Sequence, residues 1–66
     1  MIKLMKYRVT NKGERITDTV ATWTCLPSAG QIRKKLKHPD DFGIELLLRD
    51  RQVRFDKCWY YLERVK

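Results

Sequence analysis

The sequence has few of the residues that carry catalysis and metal binding. Among its 66 residues there are one histidine, two cysteines and one serine. Cys25 and Cys58 lie far apart and form no CxxC pair, whereas structural zinc needs four closely spaced ligands. We therefore expect no metal and no cofactor, and we expect both thiols to stay reduced and pack as small apolar side chains.

Groups that would converge on a substrate are missing as well. Ser28 has the position of a helix cap, and His38 lies in an expected surface turn. Asp40 and Asp41 are adjacent, so their carboxylates point apart rather than forming an acid/base pair. The chain also has no glycine-rich loop that could cradle a phosphate. The protein is therefore not expected to be an enzyme.

Long apolar runs are absent too. No stretch approaches the roughly 20 apolar residues that span a membrane. Lys3 and Lys6 interrupt the first apolar segment, which is unlike a secretory signal. We expect a cytoplasmic protein without membrane association, folded as one small basic domain over residues 1–66. Because 66 residues enclose only a modest core, the sequence leaves undecided whether the stable form is a monomer or a homodimer.

Acidic residues are scarce relative to basic ones. Fifteen Lys and Arg face eight Asp and Glu, which gives a formal net charge of +7. Such a bias in a small domain attracts polyanions, of which nucleic acid is the commonest. We expect a small nucleic-acid-binding accessory or regulatory protein, with DNA favoured over RNA. The alternative is a protein-binding module or inhibitor, of the kind found in phages and mobile elements, that docks on an acidic surface of a larger protein.

The clearest helix covers residues 28–37. Ser28 and Gln31 have the spacing of a capping box, in which each side chain satisfies a free backbone donor of the first turn. Ile32 and Leu36 lie on one side of this helix, and cations occupy the rest of it. The sequence therefore predicts an amphipathic helix with a basic outer face.

The residues before this helix predict a first β-hairpin. Asn11 and Gly13 favour a turn, and a turn centred on Lys12 and Gly13 places Val9 opposite Ile16. The expected apolar face of this hairpin consists of Met5, Tyr7, Val9, Ile16 and Val20. A helical alternative exists for residues 17–24, and with it the order of elements would resemble the small winged-helix proteins of mobile elements, such as excisionases.

The stretch 43–62 predicts a second hairpin with its turn at Asp50-Arg51. Leu48 then faces Val53, and one face of the hairpin is apolar. Asp56 is a good N-cap, so a short C-terminal helix is expected over residues 57–65. The competing pattern continues the strand, with Val53, Phe55, Trp59 and Tyr61 on one face. The expected fold is α+β: two antiparallel β-hairpins packed on one amphipathic helix (28–37), followed by a short C-terminal helix (57–65).

Two clusters of cations are the candidate phosphate-binding residues. They form the basic helix face and the tip of the second hairpin. The alternative interpretation is an ordinary solvated face for the helix, and protection of exposed strands against aggregation for the hairpin. The predicted nucleic-acid-binding residues are Arg33, Lys34, Lys35, Lys37, Arg49, Arg51 and Arg54. Four aromatic residues could stack on unpaired bases, although a small domain also needs such side chains for its core. They are Trp23, Trp59, Tyr60 and Tyr61, of which Tyr60 is expected to be the exposed one.

Overall fold

The computed structural model describes residues 1–36 and 40–65. Within them, a four-stranded antiparallel sheet is combined with two helices, so the α+β class is confirmed. The elements are β1 (Ile2–Val9), β2 (Arg15–Trp23), α1 (Ala29–Lys35), α2 (Asp41–Leu48), β3 (Val53–Phe55) and β4 (Cys58–Arg64). The order of strands across the sheet is β2-β1-β4-β3, so that the two strands nearest the termini pair in its centre. None of the helices in the described part of the chain is long and apolar enough to cross a membrane.

The first hairpin forms where it was predicted, but its register differs by one residue. Thr10 and Glu14 close the loop through a backbone hydrogen bond of 2.8 Å, and Gly13 takes a φ of 84° that favours glycine. This loop pairs Val9 with Arg15 rather than with Ile16. Residues 17–24 are not helical, since β2 extends to Trp23; the winged-helix order of elements is therefore wrong.

The side of β1 that faces the core also differs from the expectation. Ile2 and Leu4 are buried, whereas Met5 and Tyr7 lie on the opposite side of the strand. Both sides of β1 carry apolar residues, so alternation along this strand could not decide between them. Pairing with β4 decides it, because Leu4 lies opposite Leu62, which is itself buried.

Helix α1 begins as the sequence predicts. The Ser28 side chain accepts a hydrogen bond from the Gln31 backbone N–H, and the Gln31 side chain accepts one from the Ser28 backbone N–H at 2.9 Å. The helix ends at Lys35, with Leu36 as its C-cap. The predicted end at Lys37, together with His38 and Pro39, lies outside the described residues.

The predicted strand over residues 44–49 is wrong, since these residues belong mostly to helix α2. Asp40 caps this helix, and its carboxylate accepts a hydrogen bond from the Gly43 N–H at 2.8 Å. Ile44 and Leu47, three positions apart, are both buried, as expected for one side of a helix. A short run of leucines fits either a helix or a strand, so burial on one side, rather than the run itself, distinguishes the two.

The predicted C-terminal helix over residues 57–65 is also wrong. The second hairpin of the structure has its turn at Asp56 and Lys57 and not at the predicted Asp50-Arg51. It joins β3 to β4, and the φ values of 54° and 66° at Asp56 and Lys57 match a tight two-residue turn between strands. The alternative prediction, in which these residues form a strand rather than a helix, is therefore confirmed for β4. Because the chain reverses at this turn, however, Trp59 and Tyr61 lie on the face opposite to Val53 and Phe55.

One cluster of buried side chains forms the core, and it draws on both helices and on the two central strands. Its members are Ile2, Leu4, Ile32, Leu36, Ile44, Leu47, Tyr60 and Leu62. Residues that alternate with these along β1 and β4 must point away from the core. Side chains of both described helices belong to this cluster, whereas the strand residues on the opposite side of the sheet are not buried.

Candidate nucleic-acid interface

The open face consists of the strand residues that point away from the core. Across the four strands these are Lys3, Met5, Tyr7, Val9, Arg15, Thr17, Thr19, Thr22, Arg54, Trp59, Tyr61 and Glu63. Within the described ranges, none of them is buried. Glu63 is the one carboxylate among these strand residues, and Lys3 lies directly opposite it at one end of the face.

Three aromatic rings, Tyr7, Trp59 and Tyr61, lie together on the open face and form what we term the aromatic platform. The rings of Tyr7 and Trp59 are nearly parallel, with their centroids 6.4 Å apart and an angle of 12° between their planes. Tyr61 meets Tyr7 edge to face, with a centroid distance of 5.9 Å and an angle of 62°. All three side chains are half-buried, so they pack on one another and keep surface towards solvent.

Two arginines lie over rings of the platform, Arg15 over Tyr7 and Arg54 over Trp59. The Arg15 guanidinium carbon lies 3.8 Å from the centroid of the Tyr7 ring, and that of Arg54 lies 5.9 Å from the centroid of the Trp59 ring. These are cation–π distances. Among the described residues, neither arginine has a carboxylate partner. Their positive charge is therefore available to an anionic ligand that lies across the rings.

The register of the sheet explains why these residues come together. Tyr7 pairs with Trp59 across β1 and β4, and Trp59 pairs with Arg54 across β4 and β3. On the other side, Arg15 is the diagonal neighbour of Tyr7, because its direct partner is Val9. The four side chains thus follow a row at right angles to the strands, from one edge of the sheet to the other. With strands about 4.8 Å apart, the row crosses roughly 14 Å of surface.

The predicted phosphate-binding residues are distributed over different parts of the molecule. Arg33 forms an ion pair with Asp41, and Arg49 forms one with Glu45 at 2.8 Å. The charge of these two arginines is therefore partly balanced by carboxylates of the protein itself. Arg49 caps the C-terminus of α2 and does not lie at a hairpin tip.

The remaining predicted cations are not brought to one surface either. Lys34 and Lys35 are exposed on α1, whose side of the sheet is the one that holds the core. Arg51 is exposed between α2 and β3. Arg54 belongs to the open face, and Lys37 lies outside the described residues. The basic helix and Arg54 thus lie on opposite sides of the sheet.

The expectation that Tyr60 is exposed is wrong. Its side chain belongs to the core, where its ring stacks on Phe55 with centroids 4.3 Å apart. Burial raises the pKa of the Tyr60 hydroxyl above its ordinary value, and electrostatic interactions with Cys58 and Asp56 act in the same direction. It is the neighbours of Tyr60 in the sequence, Trp59 and Tyr61, that occupy the open face.

Two members of the interface, Tyr7 and Arg15, were not among the residues predicted from the sequence. Tyr7 was placed on the expected apolar face of the first hairpin, and Arg15 was assigned no role. A local signal for the grouping exists in the alternation of Lys3, Met5 and Tyr7, but it is ambiguous without the partner strands.

Comparison of this chain with protein-family models, with curated proteins and with solved structures found no significant match. Within residues 1–36 and 40–65, no group of three or more His, Cys, Asp or Glu side chains is placed to hold a metal ion.

Proposed function

We propose that this protein binds single-stranded nucleic acid on the open face of its sheet. The observation that carries the proposal is the row of Tyr7 and Trp59 between Arg15 and Arg54. Aromatic rings on a sheet stack on unpaired bases, and arginines beside them neutralise phosphates and add their own planar surface for stacking. The net charge of +7 draws any polyanion towards the molecule, and the open face offers unburied side chains on which it can lie.

The arrangement favours single strands over duplexes. In a duplex the flat faces of the bases are covered by their neighbours, so a ring on a sheet can reach only base edges and phosphates. In a single strand the bases can be splayed out and laid on aromatic side chains, which contributes about 1–3 kcal/mol per base. A pair of nearly parallel rings on the open face can therefore stack on the bases of a single strand but not on those of a duplex.

The cations of α1 define a competing surface for the same class of ligand. Lys34 and Lys35 are exposed, and phosphate contacts from such a helix would not require unpaired bases. Two matched double charge reversals separate the two surfaces: Arg15→Glu with Arg54→Glu, and Lys34→Glu with Lys35→Glu. Each lowers the formal net charge by four, from +7 to +3, so any effect of overall charge is the same in both.

The test is fluorescence anisotropy with labelled oligonucleotides of mixed sequence, single-stranded DNA and RNA beside duplex DNA, over a range of salt concentrations. We expect tighter binding of the single strands, with an affinity that falls steeply as salt rises. The reversal on the open face should remove most of this binding, whereas the reversal on α1 should weaken it only through the lower net charge. Circular dichroism establishes that each variant is folded.

Other outcomes would contradict the proposal. Equal losses in both variants would indicate a diffuse electrostatic effect, and a larger loss for the α1 variant would move the interface to the helix. If the wild-type protein bound no nucleic acid but retained one acidic protein in an affinity experiment, the chain would be a protein-binding module instead.

A further inference from the structure

Gln52 is a polar residue at the edge of the aromatic platform. It directly precedes β3, and Val53 pairs with Tyr60 on the core side of the sheet. Because side chains alternate along an extended chain, Gln52 points to the open side, next to Tyr61. A hydrogen bond confirms this placement, since the Tyr7 hydroxyl donates to Gln52 Oε1 at 2.9 Å.

This hydrogen bond orients the amide. One lone pair of Oε1 is taken by Tyr7, which leaves a second lone pair on that oxygen and two N–H donors on Nε2. No further partner of this amide lies among the described residues. The side chain is exposed and bonded to Tyr7, so its remaining donors and acceptor are accessible to a ligand bound at the platform.

Stacking alone cannot select a base, because every base has a flat aromatic face. Selection requires hydrogen bonds to a base edge, and a glutamine amide can bond adenine in a bidentate manner, donating to N7 and accepting from the N6 amine. An amide that is already held by Tyr7 loses little conformational freedom when it makes these bonds.

We propose that Gln52 is a specificity-determining residue, which reads the edge of an adenine stacked on the platform, and that the Tyr7 hydroxyl positions its amide. This inference rests on the proposed binding of single strands. It separates the two roles of Tyr7: the ring supplies stacking, and the hydroxyl supplies orientation.

The experiment compares labelled single-stranded octamers that are identical except for one central base, with adenine, cytosine or thymine at that position. For the wild-type protein we expect the adenine oligomer to bind about 5- to 150-fold more tightly, the range that a bidentate base contact provides. In Gln52→Leu and in Tyr7→Phe the affinity for the adenine oligomer should fall towards that for the cytosine and thymine oligomers, so that the ratio of affinities approaches one.

Tyr61→Phe is the matched control. It removes a hydroxyl from the same platform, but this hydroxyl has no role in orienting Gln52, so the adenine preference should remain. A merely structural role for the Tyr7 hydroxyl would lower the melting temperature of Tyr7→Phe without changing the ratio of affinities.

The possible results divide clearly. Binding of all three octamers with equal affinity, a preference for another base, or a preference that survives both variants would overturn the role of Gln52 and leave the interface itself intact. Failure of the wild-type protein to bind any octamer would overturn the proposed function, and the role of Gln52 with it.

Discussion

Replacement of Trp59 by alanine is the most direct test of the aromatic platform. Trp59 occupies the middle of the row, between the nearly parallel ring of Tyr7 and the guanidinium of Arg54. A base stacked on an aromatic side chain contributes about 1–3 kcal/mol when measured by alanine substitution. At about 1.4 kcal/mol for each factor of ten, Trp59→Ala should weaken binding of a single strand by roughly 5- to 150-fold.

The same substitution also affects folding, and the size of this effect follows from its contacts. An aromatic pair contributes about 0.5–1.5 kcal/mol beyond its buried area. A cation–π contact contributes about 0.5–1 kcal/mol at an exposed site. These two contacts together contribute about 1–2.5 kcal/mol to the free energy of unfolding, and the lost burial of the half-buried ring adds to this decrease. Binding should accordingly be measured well below the melting temperature of the variant.

The assay is a titration of a fluorescently labelled mixed-sequence single strand, read by anisotropy. Phe42→Ala is the matched control, because Phe42 is an aromatic residue with 67% exposure in the first turn of α2, away from the open face. Its removal should leave binding unchanged. Trp59→Phe keeps an aromatic face at the same position and should retain most of the affinity. The reasoning would be refuted if folded Trp59→Ala bound the strand within twofold of the wild type, or if Phe42→Ala lost as much.

Three further predictions concern the scaffold, and chemical or thermal denaturation followed by circular dichroism checks each of them. Leu47→Ala removes a fully buried side chain and should cost about 2–5 kcal/mol of unfolding free energy; a cost below 1 kcal/mol would contradict its place in the core. Ser28→Ala deletes the side-chain acceptor of the capping box, for an expected cost of about 0.5–2 kcal/mol, whereas Ser28→Asp should preserve the cap. Lys57→Gly places glycine at a φ of 66°, a backbone conformation that is unfavourable for other residues, and should raise the free energy of unfolding by up to about 1 kcal/mol. A lower melting temperature would argue against this turn geometry.

The candidate interface illustrates how far a sequence leads towards a site. Arg54 is the member of the row that was predicted to contact nucleic acid, and Trp59 was considered as a residue that could stack on bases. Their grouping with Tyr7 depends on the pairing of β1 with β4, strands whose paired residues lie between 52 (Tyr7 and Trp59) and 62 (Ile2 and Arg64) positions apart in the chain. No pattern within a single segment records that pairing. The number of cations alone favoured α1 as the interface. In the structure, however, the charge of Arg33 on this helix is partly balanced by Asp41.

Local signals identified the features that a few neighbouring residues control. The capping box between Ser28 and Gln31 marks the start of α1, and Gly13 marks the loop of the first hairpin. Both depend on hydrogen bonds or backbone angles within four or five residues, so the printed sequence contains all the partners. The α+β class and the excess of positive charge were readable in the same way, from local patterns and from composition.

Long-range packing decided the rest. Whether residues 41–48 form a helix or a strand, and whether Leu4 or Met5 faces inwards, are choices that the apolar pattern leaves balanced, since both alternatives bury apolar side chains. Both choices are decided by tertiary structure, because β4 pairs with β1 in the centre of the sheet and side chains of both helices join the core on one side of it. That arrangement leaves the other side uncovered, and it is the reason why Trp59 ends on an open surface although its sequence neighbours, Cys58 and Tyr60, pack against or within the core.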